Sequence, residues 1–304
     1  MGMTPHQLNL VRCLAENRLQ DAKQAAIACC TEDTTRKNAA YVKRYKNMLE
    51  TGTDKVYELP SHLKGMVIAE DVSDFRTDRY YLTFREKALL EQIRKVNRAS
   101  LRLMEIGIPY LNSTLLYGES GTGKTMFGRY AAHTMGLPFL YVNFSYLIDS
   151  LMGNTSKNLR KVFEWAKTNQ CLLMLDEIDA IARQRTKSTE GAERELSNTT
   201  VTLLQELDGI HNDTVLIGAT NIPDTLDRAV IRRFAIKHEV KMLTEAEITE
   251  CVMQYLGSTG IRIRGNGTGF AKNMLGKPQS EIINAVINLI ADALIRESDE
   301  IEII

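Results

Sequence analysis

Eight consecutive residues, Gly118-Glu119-Ser120-Gly121-Thr122-Gly123-Lys124-Thr125, are of the types and spacing that hold a polyphosphate. They match G-x-x-x-x-G-K-[ST], and each position has a physical task. Gly118, Gly121 and Gly123 lack a Cβ, so the backbone can wrap closely around an anion. The loop amides, and the start of the helix behind them, turn positive dipole ends toward it. Lys124 places a point charge against β- and γ-phosphates. The Thr125 hydroxyl can join the coordination shell of Mg²⁺. The octet, with Met126 after it and Asp176 further on, is the expected nucleotide-binding set, and the expected cofactors are ATP and Mg²⁺.

A second constellation supplies what hydrolysis would need. Leu172 to Asp179 reads L-L-M-L-D-E-I-D, four apolar residues with acids at the carboxyl end. Ligands of open α/β sheets bind at that end of the strands. Asp176 can hold Mg²⁺ with Thr125, and Glu177 can polarise a water for attack on the γ-phosphate. Val215 to Asn221, V-L-I-G-A-T-N, is another buried strand ending in polar residues. Asn221 is open to two readings, a hydrogen-bond donor to the γ-phosphate or lytic water, or a turn residue. Arg232 and Arg233 are likewise either an arginine finger, accelerating by roughly 10³–10⁵ where it operates, or ordinary ion-pair partners.

These residues need a scaffold. Segments 114–117, 139–142, 171–175, 215–218 and 236–240 are strand candidates; a helical stretch at 83–106 precedes them, and others, such as 126–135, separate most of them. Such alternation implies a parallel sheet covered on both faces. From 244 onward the chain reads as helical again, at 244–256, near 270–275 and at 279–297. Residues 1 to about 50 carry three apolar stripes at helical spacing: Leu10, Val11 and Leu14; Leu19, Ala22 and Ala26; Tyr41, Tyr45, Met48 and Leu49. Thr4-Pro5 suits the first helix start. Residues 53 to about 75 show mixed polarity, Pro60, Gly65 and no sustained period, as a connector would.

Bulk properties exclude several classes. Thirty-eight basic and 38 acidic residues cancel, so no global field collects nucleic acid or acidic membranes. A local basic patch at 36–46 is either a contact for an acidic partner or a solvated helix face. Five cysteines, an odd count without a C-x-x-C pair, suggest neither a disulfide framework nor a zinc site. Charges in the first 21 positions leave no signal-peptide core, and no apolar run reaches about 18 residues. A cytoplasmic protein without a membrane span is the expectation.

With these motifs together, the chain resembles the AAA+ ATPases, and within them the AAA proper group. The resemblance runs from about Leu82 to Glu297. It includes Glu206-Leu207-Asp208-Gly209, then Gly218-Ala219-Thr220-Asn221, then Leu226 through Phe234. The Arg232-Arg233-Phe234 stretch resembles that of katanin and spastin. The resemblance implies a P-loop αβα domain with a five-stranded parallel sheet, a C-terminal helical lid, and a ring, usually a hexamer. It implies that Asn221 is sensor 1 and that Arg232 and Arg233 act on the ATP of the neighbouring subunit. It places the central pore loop at Leu151-Met152-Gly153, where family members commonly carry an aromatic residue and this chain has two aliphatic ones. It matches the family's G-x-S-G-A-D stretch only loosely, as Gly276-Lys277-Pro278-Gln279-Ser280-Glu281. Tyr81-Leu82 is a candidate border of the adenine, and Ser280 a neighbour of the ribose.

The resulting division is an N-terminal helical docking module at 1–55, a linker at 56–75, a large α/β ATPase domain at 76–242 and a helical lid at 243–304. The expected function is ATP-driven remodelling, disassembly or unfolding of a protein partner by a homo-oligomeric ring. One alternative is a regulatory adaptor that controls a separate effector such as a protease or nuclease. The chain carries no second catalytic motif such as H-E-x-x-H or G-x-S-x-G that would make it the effector itself. A nucleic-acid-directed ATPase of the helicase-loader type is the other alternative, and zero net charge argues against it.

Overall fold

The computed structural model describes residues 3–16, 18–33, 42, 46, 49, 59–108, 110–142, 144, 147, 155–182, 191–210 and 214–303. The chain divides into two compact units, Met1–Tyr57 and Glu58–Ile304.

In the first unit, α1 (Pro5–Ala15) and α2 (Leu19–Glu32) pack as a pair around Cys13, Ala22 and Ala25. The start of α1 is fixed by a reciprocal cap: Gln7 N–H donates to Thr4 Oγ1, and Thr4 N–H donates to Gln7 Oε1. Leu8, Val11 and Leu14 remain exposed along one side of α1. Leu49 is the one member of the third apolar stripe among the described residues; the basic stretch at 36–46 and the pore-loop residues Leu151, Met152 and Gly153 lie almost wholly or wholly outside them.

The second unit is built on a six-stranded sheet. Its strands are β1 (Val67–Glu70), β2 (Asn112–Tyr117), β3 (Phe139–Val142), β4 (Leu172–Leu175), β5 (Val215–Thr220) and β6 (Ile236–Glu239). Their spatial order is β1-β3-β4-β5-β2-β6. Five strands run parallel, as the sequence implies, and β1 joins the edge antiparallel to β3, pairing Val67 with Val142 and Glu70 with Phe139.

Segment 56–75 is therefore more than a linker. Leu63, in a single 3₁₀ turn, is fully buried, and Val67 and Val72 are buried too. The segment escaped sequence reading because β1 has only four residues and, as an edge strand, alternates incompletely: Val67 is buried, whereas Ile68 and Ala69 are exposed. A bidentate ion pair anchors its end, Arg129 Nε to Glu70 Oε2 at 2.6 Å and Nη2 to Oε1 at 2.9 Å.

The central strands bury residues on both faces, because both are covered. Leu115, Leu173, Leu175 and Leu216 face one core, shared with α5 (Thr155–Thr168) and α6 (Gly191–Gly209). Leu116, Leu172, Met174 and Ile217 face the other, shared with α3 (Phe84–Glu105) and α4 (Lys124–Met135). Neighbours along a strand thus alternate between the cores. A short helix, α7 (Arg228–Arg233), leads into β6. Phe234 fills the space over Gly218, where a Cβ would come within 2.7 Å of its ring.

The lid comprises α8 (Glu245–Gly257), α9 (Thr268–Met274) and α10 (Gln279–Ile295) around Ile248, Val252, Leu256, Ile282 and Val286. A capping box between Thr244 and Glu247 starts α8. Two three-residue strands, β7 (Arg262–Arg264) and β8 (Glu300–Glu302), pair in parallel within it. Sequence reading took the lid as purely helical, since strands this short leave no periodic signal. No helix among the described residues is long and apolar enough to cross a membrane.

Candidate active site

The carboxyl ends of β2, β4 and β5 lie side by side, because their registers are matched: Tyr117 pairs with Thr220, and Leu175 with Gly218. The turns that follow carry the phosphate loop, Asp176-Glu177 and Asn221 respectively. Adjacent parallel strands therefore bring together residues far apart in sequence.

The loop needs its glycines. Gly118, Gly121 and Gly123 have φ of +147°, +78° and +100°, in the half of backbone space that side chains disfavour. A Cβ on Gly118 would also collide with the carbonyl of Val240. Lys124 is buried at the start of α4, and its Nζ donates to the carbonyls of Gly118 at 2.9 Å and Glu119 at 2.7 Å. Burial lowers its pKa, and the charges of Asp176 and Asp179 pull it partly back. Thr122 braces the loop from inside, donating to Glu119 O at 2.9 Å.

Thr125 Oγ1 donates to Asp176 Oδ2 at 2.5 Å, across the gap between α4 and β4. Two hard oxygens so placed fit Mg²⁺, which is bound by one or two protein oxygens and completes its shell with phosphate and water. Glu177 follows in the left-handed region at φ +50°, its N–H donating to Asp176 Oδ1 at 3.0 Å. Non-glycine residues adopt this conformation only under constraint, and such constraint gathers at functional sites.

A cleft of about 660 Å³ receives Ser120, Gly121, Gly123, Lys124, Thr125, Met126, Asp176, Glu177 and Asn221 from the large domain. Gly118, Glu119 and Thr122, the remaining loop residues, are not among its lining. Gln279, Ser280, Ile283 and Asn284 line the cleft from α10 of the lid, and Phe75, Arg76, Arg79, Tyr80 and Tyr255 complete it. Its size suits a nucleotide, and both polar loop residues and aromatic rings line it.

The aromatic side corrects one expectation. Tyr80, not Tyr81 or Leu82, borders the cleft. Tyr81 turns into the lid core and donates from its hydroxyl to Glu250 Oε2 at 2.7 Å, while Leu82 belongs to the core beside α3. Tyr80 packs on Tyr130 at 5.3 Å and edge-on to Phe75 at 6.1 Å between ring centres. Burial pushes its hydroxyl pKa well up, so it remains a donor, to Gly123 O at 3.4 Å. Sequence reading missed Phe75, Arg76, Arg79 and Tyr255. Their approach to the loop depends on packing between segments distant in sequence, which leaves no local pattern.

Asn221 is held by its neighbours. Thr220 Oγ1 donates to Asp179 Oδ1 at 2.6 Å and accepts from Ile222 N–H at 3.0 Å. The last acid of L-L-M-L-D-E-I-D thus clamps the turn bearing Asn221, a task its sequence position did not suggest.

Arg232 and Arg233 are not among the residues lining this cleft. Arg232 is exposed at the end of α7. Arg233 forms a two-pronged ion pair with Asp208.

Comparison with known proteins agrees with this geometry. Residues 114–242 match the family model described as ATPase family associated with various cellular activities (AAA). An uncharacterised AAA family ATPase of Sinorhizobium fredii is 30% identical over 227 residues, 71% of this chain and 68% of that protein. The proteasome-activating nucleotidase of Methanococcus maripaludis is 37% identical over 180 residues, 57% of this chain and 44% of the relative. The 26S proteasome subunit RPT4 of Saccharomyces cerevisiae is 36% identical over 166 residues, 52% and 38% respectively. The match thus spans less than half the length of these two proteasomal relatives. Their names do not support the katanin- and spastin-like reading of Arg232-Arg233-Phe234. The phosphate loop, the acids beside it and the full-domain likeness lead to one conclusion: this chain belongs to the AAA family of ATPases.

Proposed function

We propose that the chain hydrolyses ATP with Mg²⁺ and, as a ring of copies, uses that turnover to unfold or remodel a protein partner. The observation that carries this reading is the hydrogen bond between Thr125 and Asp176 beside Lys124 and Glu177, in a nucleotide-sized cleft. Lys124 binds the β- and γ-phosphates, while Thr125 and Asp176 hold the metal, which supplies charge neutralisation on the phosphoryl oxygens. Glu177 orients and deprotonates the attacking water, and Asn221 hydrogen-bonds the γ-phosphate or that water. Arg232 and Arg233, outside their own cleft, serve the site of an adjacent copy, so the ring, hexameric by family likeness, is part of the catalyst.

The N-terminal helices recruit the partner; the exposed Leu8, Val11 and Leu14 on α1 support a docking role. The loop Leu151-Met152-Gly153 is the expected grip in the central channel. The cytoplasm, where thiols stay reduced, is the compartment we assign, in keeping with five free cysteines.

A regulatory variant has its own support. The relative named proteasome-activating nucleotidase is, by its printed name, a nucleotidase that activates a proteasome. On that reading the present chain feeds or activates an effector. No observation favours a nucleic-acid substrate.

The test is a pull-down with Glu177→Gln protein in ATP, followed by measurement of ATP turnover with and without whatever is captured. Capture of a protein that stimulates parent turnover supports the reading. Stimulation by DNA or RNA alone, or no ATP turnover under any condition, overturns it.

A further inference from the structure

We propose that Gln279, on the lid, is a positioning residue for the phosphate loop, so that affinity for nucleoside di- and triphosphates depends on a side chain outside the loop motif. The proposal rests on the nucleotide-binding reading above.

The first turn of α10 sits directly on the loop. Ser280 N–H donates to Gly121 O at 3.1 Å. The first amides of a helix have no partner within it, and here a loop carbonyl supplies one. One residue earlier, Gln279 Oε1 lies 2.6 Å from where a Cβ on Gly123 would stand, so its carboxamide fills the space that glycine leaves. The same carboxamide is tethered elsewhere. Its Nε2 donates to Tyr81 O at 3.4 Å.

Gly123 is gripped from a second side by Tyr80, whose hydroxyl donates to its carbonyl. Tyr80 is in turn fixed by the lid: Gln254 Nε2 donates to Tyr80 O at 3.0 Å. Gly121 and Gly123 are therefore both set by lid contacts. A phosphate-binding loop works through the directions of its amides, and those follow from the backbone torsions at its glycines. A side chain that fixes Gly123 fixes where Lys124 begins.

The chemistry of the carboxamide matters. It is neutral, so it approaches a phosphate site without repulsion, and it has a donor for Tyr81 O and an acceptor edge for the loop side.

The experiment measures equilibrium affinity of ATP, ADP and AMP, by calorimetry, for the full-length parent, Gln279→Ala, Gln279→Glu and Lys124→Ala. Gln279→Ala should weaken ATP and ADP by roughly three- to tenfold, the scale of one or two lost hydrogen bonds, and AMP by less than about twofold. Gln279→Glu keeps the shape but loses the donor to Tyr81 O, so its thermal midpoint is measured beside the parent's. It should weaken ADP more than Ala does, and the excess should shrink as salt rises. A Gln279→Glu protein that binds ADP like the parent overturns the proposal. So does an equal loss for AMP in Gln279→Ala, which would mark a direct sugar or base contact. If Lys124→Ala fails to weaken ADP, or the parent binds none of the three, the nucleotide reading falls and this proposal with it. Unchanged Gln279→Ala affinity beside a damaged Lys124→Ala protein overturns this proposal alone.

Discussion

Asp208 and Arg233 meet fork to fork: Arg233 Nε and Nη2 each donate to one Asp208 carboxylate oxygen at 3.0 Å. Nη1 donates to Ala229 O at 3.2 Å. Donating to Asp208 raises the guanidinium pKa, so the group is protonated across the whole working range. Arg232, its neighbour, is exposed. The end of α6 thus aims one arginine of the pair, and the two differ in setting despite their identical chemistry.

Mixing tests whether these arginines act between copies. Protein carrying Arg232→Ala and Arg233→Ala should bind ATP within about twofold of the parent but lose turnover by roughly 10³. Adding Lys124→Ala protein, inactive alone, should restore activity at interfaces that combine its arginines with the intact loop of the other. Asp208→Asn should lower turnover less than arginine loss does, and should change stability by at most about 1 kcal/mol, because the pair is half-exposed. A mixture that stays inactive in demonstrated mixed rings rejects action between copies.

Lys124 makes binding pH-dependent. Burial lowers its folded-state pKa from 10.5, so the unfolded chain holds the proton more strongly. Stability from this group therefore rises with pH between the lowered value and 10.5. A polyphosphate reverses the shift by favouring the ammonium form. Alkaline ATP binding should take up a proton, read as a buffer-dependent binding enthalpy, and affinity should fall as pH rises. Lys124→Ala should abolish the proton uptake and weaken ATP on the order of a hundredfold.

Glu177→Gln preserves size and is equally at home at φ +50°, so the turn after β4 should be unchanged. ATP binding should stay within about twofold, while turnover falls roughly 10²–10⁴, the usual contribution of a positioned general base. Turnover within a few-fold of the parent would assign the water-activating role to another residue.

Truncation separates the two units at a definite place. A shortened protein beginning at Glu58 retains Leu63 and β1 and should fold with a thermal midpoint close to the parent's. One beginning at Asp71 lacks Leu63, Val67 and the Glu70–Arg129 pair. Loss of the Leu63 side chain alone is worth about 2–5 kcal/mol, so that protein should melt markedly lower or aggregate. Equal midpoints would show that β1 is not integral to the sheet.

The large domain was legible because several of its parallel strands are apolar runs ended by polar residues, a pattern that Leu172 to Asp179 displays within eight positions. The phosphate loop and the acids beside it were legible for the same reason: strand order places them together once the sheet is granted. What stayed hidden depends on contacts between distant segments. Tyr80 and Tyr81 are adjacent and chemically identical, and only the packing of the lid turns one to the cleft and the other to Glu250. Asp179, Gln279 and Asp208 are polar residues whose partners, Thr220, Gly123 and Arg233, lie 25 or more positions away, beyond any local pattern.

The antiparallel edge strand determines how tension would travel. Val67 pairs with Val142, and Val142 with Leu175, so the chain enters the sheet level with the last residue before Asp176. A pull on residues 1–57 arrives first at Leu63, buried against α5, and then at the β1–β3 ladder. Its point of entry is the nucleotide edge of the sheet, not the opposite one. A load on the leading segment therefore reaches the row that bears Asp176 and Glu177 across a single intervening strand, β3, and turnover should be sensitive to strain there in a way that tension on the far edge would not produce.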